Sequence, residues 1–279
     1  MTHDFLQFLQ EPLALRSLWT CAVIGFANGY VSALVVLRRS ALQIGTISCA
    51  LLPGMALAIL LFGLSVLSIL LGAVFAGLMV GLGSLFVARS GRTSQDTALS
   101  VLHTTAFAVG YIILVQLGLQ QKVDSWLFGS IMSMGDSELL LSYATAALAV
   151  LLLTAFRRPL VMTLFDPRAA QTMGIPTRLI HYGSFALIIL VLVSSLQAVG
   201  AFLTIGLLVA PAATLCRLSN RTNTIFWGSA LLGSGGSVLA FFLSYPLGWH
   251  LGACIALVLG LAFLAAYLFA PRGGVLRKR

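Results

Sequence analysis

Long apolar runs, separated by short polar clusters, set the pattern of this chain. A helix that crosses a bilayer needs roughly 20 mostly apolar residues. The block 179–215 is too long for one crossing and breaks near Gln197 to Gly200, so it predicts two. Counting it as two, the pattern predicts nine membrane-spanning helices at about 17–37, 41–63, 66–88, 97–117, 139–156, 179–197, 200–215, 225–243 and 251–270.

Composition supports a membrane protein. Hydrophobic residues make up 59% of the 279 positions and charged residues only 8%, too few to cover a water-soluble globule of this size. We therefore predict an all-α polytopic membrane protein with eight or nine transmembrane segments. The seventh segment is the weakest, because Thr204, Gly206 and Pro211 also fit a broken or re-entrant helix.

The distribution of lysine and arginine predicts the orientation. Cytoplasmic loops are enriched in these residues. With the N-terminus outside, nine crossings place 14 of the 16 cations on the cytoplasmic side and leave only Arg16 and Lys122 outside. An odd number of crossings and a cytoplasmic C-terminus follow. The cations form no basic stripe with interleaved aromatic residues, so the net charge of +9 does not indicate nucleic-acid binding.

The segments outside the crossings divide the chain. Residues 1–16 predict an amphipathic lead-in with no cleavable signal peptide, residues 17–270 a single transmembrane domain, and residues 271–279 a basic cytoplasmic tail. The apolar stretch 126–134 is too short to span and fits a segment that dips into the membrane. The four cysteines are far apart in sequence and predict neither a disulfide framework nor a zinc knuckle.

The stretch 38–58 is a polar, broken helix in an apolar sequence. It contains Gly45, Ser48, Cys49 and the pair Pro53 and Gly54. Helix-breaking residues at mid-span are tolerated where they line a path or where helices pack closely. Both interpretations are open from this stretch alone.

Several motifs, in order along nearly the whole chain, resemble the membrane subunits of ABC importers for zinc, manganese or iron(II). They are VVLRRSAL with ALLPG (35–54), RTSQDTA (92–98), SWLFGSI (125–131), LFDPRAAQTMGIPTR (164–178) and SSLQAVGAFLTIGLLVAPAATL (194–215). The resemblance implies a permease that moves a divalent metal by alternating access in a bacterial inner membrane. It implies a second permease copy or paralogue, a cytoplasmic ATP-binding subunit, and an extracellular or periplasmic metal-binding protein.

The segment 157–178 is the predicted coupling segment, which would receive the motion of the ATPase. Asp166 is suited to cap a helix and Pro167 to its first turn, while Gly174 is suited to end it. We therefore predict a coupling helix from Asp166 to Gly174 that includes Arg168 and Ala170. Without the resemblance, an ordinary helix on the membrane surface is the simpler interpretation.

The chain departs from the family at one place. The family usually has an Asp and a His four residues apart before the A-x-x-P-G turn, and the aligned residues here are Gly45 and Cys49. Three explanations are open. Softer groups, Cys49 with His103 and Cys254, contact the metal transiently; a paralogous permease supplies the ligands; or the pore is smooth and affinity resides in the external binding protein.

Other functions fit less well. The chain has no G-x-x-x-x-G-K-[ST] loop, so ATP and its magnesium would bind a partner subunit and the chain itself needs no cofactor. We find no constellation typical of a membrane-embedded enzyme. A secondary carrier is the alternative transport function, but no Asp or Glu lies in the middle of a predicted span to couple transport to protons or sodium.

Overall fold

The computed structural model describes residues 12–63, 65–90, 94–119, 129 and 135–269. These residues form helices and connecting turns, with no strand in the described ranges. The helices are α1 (Pro12–Leu37), α2 (Ala41–Phe62), α3 (Val66–Ser90), α4 (Gln95–Gln116), α5 (Asp136–Ala155), α6 (Arg157–Phe165), α7 (Pro167–Thr172), α8 (Thr177–Val199), α9 (Ala201–Leu218), α10 (Thr222–Leu247) and α11 (Leu251–Phe269).

The predicted all-α membrane fold is confirmed. Eight of the described helices are long and apolar enough to cross a membrane: α1 to α5, α8, α10 and α11. The seventh predicted segment is α9, a helix of 18 residues. At 1.5 Å per residue it is about 27 Å long, close to the thickness of a bilayer core.

Several boundaries differ from the sequence prediction because helices continue beyond their apolar runs. Helix α1 begins at Pro12 rather than near Ser17, and α5 begins at Asp136 rather than near Leu139. The short apolar turn before Arg16 extends α1, and an acidic first turn with Asp136 and Glu138 extends α5, since backbone hydrogen bonding does not stop where the hydrocarbon stops. Three predicted regions fall wholly or largely outside the described residues: most of the N-terminal lead-in, the stretch 126–134 and the basic tail.

Helix α1 lies at the centre of the bundle, where it packs against α5, α9 and α10. Small residues bring α1 and α10 together: a Cβ on Gly29 would lie 2.3 Å from the backbone oxygen of Ser229, and one on Gly25 only 2.6 Å from that of Gly233. In the apolar windows of α1 and α2, 72% of residues are buried, against 22% for α3 and α4. Helices α3 and α4 therefore form the periphery.

Polar contacts show which helix ends share a face of the bundle. Arg38 contacts His181, Arg157 contacts Asn223, and the guanidinium of Arg217 lies 5.1 Å from the ring centre of Tyr267. These contacts join the arginine-bearing ends of α1, α5 and α9 to the ends of α8, α10 and α11. We call this end of the bundle the basic face.

The opposite face carries the start of α1 and the start of α5. There Arg16 forms an ion pair with Asp136, and the hydroxyl groups of Thr20 and Tyr143 lie 2.7 Å apart. Arg38, Arg157 and Arg217 thus lie at one end of the bundle and Arg16 at the other, as the distribution of arginines in the sequence predicts.

Helix α9 runs parallel to α11. A Cβ on Gly206 would contact Ala256 at 3.9 Å, and Arg217 reaches Tyr267, so both contacts join residues 50 positions apart. Since α11 is long enough to span, α9 runs beside a spanning helix for about 16 Å between these two contacts. This favours a crossing over a re-entrant turn for the seventh segment.

Candidate functional site

The three predicted metal-contacting residues lie on three different helices: Cys49 on α2, His103 on α4 and Cys254 on α11. Among the described residues, no group of three His, Cys, Asp or Glu side chains is placed to hold a metal ion. The three residues therefore form no common closed site, and their role as transient contacts stays a prediction.

Cys49 and His103 lie at a similar depth in neighbouring helices. Helices α2 and α4 run parallel, because Gln43 contacts Asp96 at 3.4 Å and a Cβ on Gly110 would lie 2.5 Å from Pro53. Interpolating between these two contacts places Cys49 within about 2 Å of the level of His103 along the helix axis. The register thus brings two of the three predicted residues to one layer.

Cys254 is separated from that layer. It belongs to a buried cluster with Cys21 and Leu207, and α9 packs against both α2 and α11. Helix α9 therefore lies between the cysteine of α11 and the cysteine of α2. Cys254 fits a packing residue better than a partner of Cys49.

The two residues that depart from the family pattern, Gly45 and Cys49, lie on the face of α2 that packs against α9. A Cβ on Gly45 would lie 3.7 Å from two side-chain carbons of Ile205, an ordinary packing distance. Cys49 is one helical turn further on the same face of α2 and is only 9% exposed. An Asp and a His at these positions would point toward α9, whereas Gly45 and Cys49 leave that contact largely apolar.

A polar strip runs along exposed helix α4, and we define the α4 polar face as Asp96, Ser100, His103 and Thr104. The hydroxyl groups of Ser100 and Thr104 donate to carbonyl oxygens four residues earlier, each at 2.8 Å. The half-buried imidazole of His103 has no hydrogen-bond partner within the described part of the chain. It lies about 12 Å from the start of α4, within the depth of a bilayer.

A buried polar contact joins α1 to α8, which sequence reasoning missed. The amide nitrogen of Asn28 donates to the hydroxyl of Ser195 at 2.7 Å, and that oxygen lies 3.1 Å from the amide oxygen of Asn28. A polar residue in mid-span is itself a sequence signal, because it needs a partner in an apolar environment. The sequence did not reveal which helix supplied it.

A second buried contact steadies α9 beside its proline. The hydroxyl of Ser32 on α1 accepts a hydrogen bond of 3.2 Å from the backbone nitrogen of Ala212. Pro211 has no N–H and disturbs the preceding turn of a helix. Ser32 thus binds α1 to the one turn of α9 whose internal hydrogen bonding is weakened.

The helix predicted from Asp166 to Gly174 forms as α7 with the predicted signals at both ends, while its role in coupling stays a prediction. A side-chain oxygen of Asp166 accepts a hydrogen bond of 3.0 Å from the backbone nitrogen of Ala169, and Pro167 occupies the first turn. The helix proper is Pro167–Thr172, slightly shorter than predicted, because Asp166 is the cap and Gly174 lies beyond the end.

The C-terminal end of α7 is closed by a Schellman motif. Gly174 has a φ of +76°, and the nitrogens of Ile175 and Gly174 donate to the oxygens of Ala170 and Gln171, both at 3.0 Å. Such a defined ending fixes the direction in which the chain enters α8. The turn therefore holds α7 as a rigid unit.

Helix α7 presents an exposed surface at the basic face. Ala170 is fully buried and anchors the helix, while Arg168 is exposed. Three apolar side chains around it are also exposed: Phe165 at 68%, Met173 at 66% and Leu179 at 71%. Apolar side chains beside a capped helix at a membrane surface indicate a contact with another protein or with lipid.

Comparison with known proteins places this fold in a family. The profile described as the ABC 3 transport family matches residues 10–270. The manganese transport system membrane protein MntC of Halalkalibacterium halodurans is 32% identical, with 100% of this chain and 94% of that protein covered. The manganese import system permease protein ScaB of Streptococcus gordonii is 31% identical, with 99% and 96% covered.

A solved structure supports the same assignment. The chain matches a chain in the structure described as PsaBC from Streptococcus pneumoniae in complex with Fab, with a TM-score of 0.89 and 29% identity. The match covers 98% of this chain and 97% of that one. The chain is therefore a multi-pass membrane permease subunit that belongs to the ABC 3 transport family.

Proposed function

We propose that this chain is the membrane-spanning subunit of an importer that moves a divalent transition metal ion, zinc, manganese or iron, by alternating access. A separate cytoplasmic subunit hydrolyses ATP, and an extracellular or periplasmic protein delivers the metal. The near-complete match in fold to a chain of the PsaBC structure carries this proposal. The names of the two manganese-transporting relatives support the metal class.

The basic face is the cytoplasmic side in this proposal. The lysine and arginine count supports this orientation, with the N-terminus outside and the C-terminus inside, because cytoplasmic loops are enriched in these residues. Helix α7 then lies at the cytoplasmic surface, where the ATP-binding subunit docks through Arg168 and the exposed apolar side chains.

The α4 polar face is directed at a second permease copy or a paralogue. An imidazole without a partner is costly against lipid hydrocarbon. A second subunit packed on peripheral α4 would remove His103 from lipid and place it beside a path between the two subunits. Cys49 lies at a similar depth but is buried toward α9, so an ion that prefers nitrogen or sulfur ligands would meet His103 first and would reach Cys49 only if α9 moved aside.

The deciding experiment is transport by the complete complex reconstituted in vesicles. We expect ATP-dependent uptake of at least one of zinc, manganese or iron(II), and co-purification of the chain with an ATP-binding subunit. Uptake by the purified chain without that subunit would instead identify a secondary carrier. Failure to move any of the three ions would contradict the metal class.

Variants of Cys49 and His103 separate the three explanations for the missing Asp and His. If these groups contact the ion, Cys49→Ala and His103→Ala each reduce uptake severalfold, whereas Cys254→Ala does not, because Cys254 packs elsewhere. Uptake that is unchanged in both variants would leave ligands from a paralogue or a smooth pore. A complex assembled with only this permease then distinguishes those two, since it would transport only if the pore needs no further ligands.

A further inference from the structure

An apolar groove lies between α5 and α8, and we call it the α5–α8 groove. Its walls include Leu148 and Leu152 of α5, Phe156 directly after α5, Leu187 and Leu190 of α8, and Val74 of α3. Its volume is about 420 Å³. Small-molecule sites commonly measure about 300–1,000 Å³, so the groove is large enough for a ligand.

The groove extends from the basic face toward the middle of the membrane. Phe156 lies directly after the end of α5. Leu148 lies about 10 Å above that end and Leu190 about 20 Å above the start of α8, given the rise of a helix. A docked water-soluble protein would have to enter the hydrocarbon layer to fill such a groove, whereas an acyl chain already lies there.

A cation lies beside one wall of the groove. The guanidinium of Arg38 donates to the hydroxyl of Ser184, a groove-lining residue, at 2.6 Å. Burial lowers the pKa of Arg38, because removal from water disfavours its charged form. Within the described ranges, no carboxylate forms an ion pair with this arginine.

The acids of the basic face are engaged elsewhere. Asp96 contacts Gln43, and Asp166 caps α7. Arg178 is exposed beside groove residue Leu179 and likewise has no ion pair in the described part of the chain. A buried charge without a counter-ion is costly, so this side of the groove is complementary to an anion.

We propose that the α5–α8 groove binds an anionic phospholipid, with one acyl chain between α5 and α8 and the phosphate against Arg38 and Arg178. The apolar depth accounts for the acyl chain, and the two arginines, neither of which has an ion pair in the described ranges, account for the charged headgroup. Basic pockets between membrane helices on the cytoplasmic side are a general means of binding anionic lipid headgroups. The lipid would lie directly beneath the turn that leads from α7 into α8.

The test measures which lipids remain bound to the purified protein, alone or in its complex. The sample is exchanged into detergent containing equal amounts of phosphatidylglycerol and phosphatidylcholine with identical acyl chains, and retained lipid is counted by native mass spectrometry. We expect selective retention of phosphatidylglycerol. Arg178→Ala should reduce that selectivity about fivefold, the effect expected of one basic residue near lipid headgroups.

Gly183→Leu tests the groove itself. A Cβ on Gly183, which lines the groove, meets no atom within 4 Å, so a leucine side chain begins in open space and extends into the groove. Gly235→Leu on α10 is the matched control, because a Cβ there also meets no atom within 4 Å and Gly235 does not line the groove. We expect Gly183→Leu to lose the retained phosphatidylglycerol and Gly235→Leu to keep it.

Three results would overturn the proposal. They are equal retention of both lipids, retention unchanged in Gly183→Leu, and loss of the ATP-binding subunit from Gly183→Leu while its lipid is kept, which would assign the groove to that subunit. The lipid count requires no transport. Its failure would therefore leave the metal-uptake experiment untouched, and failed uptake would leave the lipid count valid.

Discussion

Two glycines set the distance between α2 and α3. A Cβ on Gly54 would lie 2.1 Å from the backbone oxygen of Gly72, and one on Gly72 would lie 2.4 Å from that of Gly54. Backbone atoms cannot rotate away as a side chain can. The two helices must therefore separate if either position gains a methyl group.

We expect Gly54→Ala to destabilise the protein by about 1–3 kcal/mol, the usual cost of overpacking a tight interface. Gly235→Ala is the control, because its added methyl group meets open space and improves helix propensity. Thermal unfolding in detergent measures both. A Gly54→Ala protein as stable as the control would show that α2 and α3 do not pack this closely.

The pair Asn28 and Ser195 makes a prediction about coupling between residues. Ser195→Ala leaves the amide oxygen of Asn28 without its partner, while the amide nitrogen keeps its hydrogen bond to the carbonyl of Ile24, and this should cost between about 0.6 and 2 kcal/mol. Asn28→Leu combined with Ser195→Ala should cost less than the sum of the single changes, because neither polar group is then left unpaired. A double-mutant cycle in thermal stability measures this, and strict additivity would contradict the contact.

Helix α7 shows how six residues become a defined element. Alone, so short a helix is unstable in water, because forming its first turn costs more than its few hydrogen bonds return. Asp166 satisfies a donor at one end, the Schellman turn at Gly174 satisfies carbonyls at the other, and buried Ala170 attaches the helix to the bundle. A helix held in this way can transmit a displacement as one body.

We expect Asp166→Ala to weaken α7 by about 1 kcal/mol and to reduce both co-purification with the ATP-binding subunit and metal uptake. Asp166→Asn should restore both, because asparagine caps a helix as well as aspartate does. Restoration by asparagine separates the cap from the charge. If Asp166→Asn is as defective as Asp166→Ala, the carboxylate itself contacts the partner.

At the scale of the molecule, two peripheral surfaces have different exposed chemistry. Helix α4 carries the α4 polar face, whereas α10 exposes apolar side chains such as Leu231, at 67%. Apolar exposure suits lipid, and polar exposure suits a second subunit or a path. The proposed arrangement of two permeases therefore predicts which surface meets its copy.

Thr104→Cys should form a disulfide-linked dimer in membranes treated with oxidant, while Leu231→Cys should not. The native thiols Cys21, Cys49 and Cys254 are buried, and the partly exposed Cys216 is replaced by serine in both variants, which keeps the background low. The readout is the mobility of the chain on a non-reducing gel. Cross-linking at Leu231→Cys alone would move the subunit contact to α10, and cross-linking to a different permease chain would identify a heterodimer.

Orientation is tested separately with a thiol reagent that does not cross membranes. Met173→Cys, beside α7, should react only after the cells are opened, whereas Ser137→Cys, at the start of α5, should react in intact cells with an accessible outer surface. Both side chains are exposed. The reverse pattern would place the basic face outside and remove the docking site proposed for the ATP-binding subunit.

The sequence by itself determined the features that depend on the chemistry of neighbouring residues and on the lengths of apolar runs. Apolar runs of sufficient length predicted the spanning helices, arginine clusters predicted the two faces, and the caps Asp166 and Gly174 predicted α7, because each signal acts within a few residues of its source. Helix boundaries were less well predicted, since hydrogen bonding carries α1 and α5 beyond their apolar runs.

Only the tertiary structure decided which helices meet. It brought Cys49 nearly level with His103 and separated both from Cys254, joined Asn28 to Ser195, and left Arg38 beside an apolar groove. None of these pairings has a local signature, because in a bilayer every helix has a similarly apolar surface. Close packing between small residues, rather than hydrophobicity, selects the neighbours.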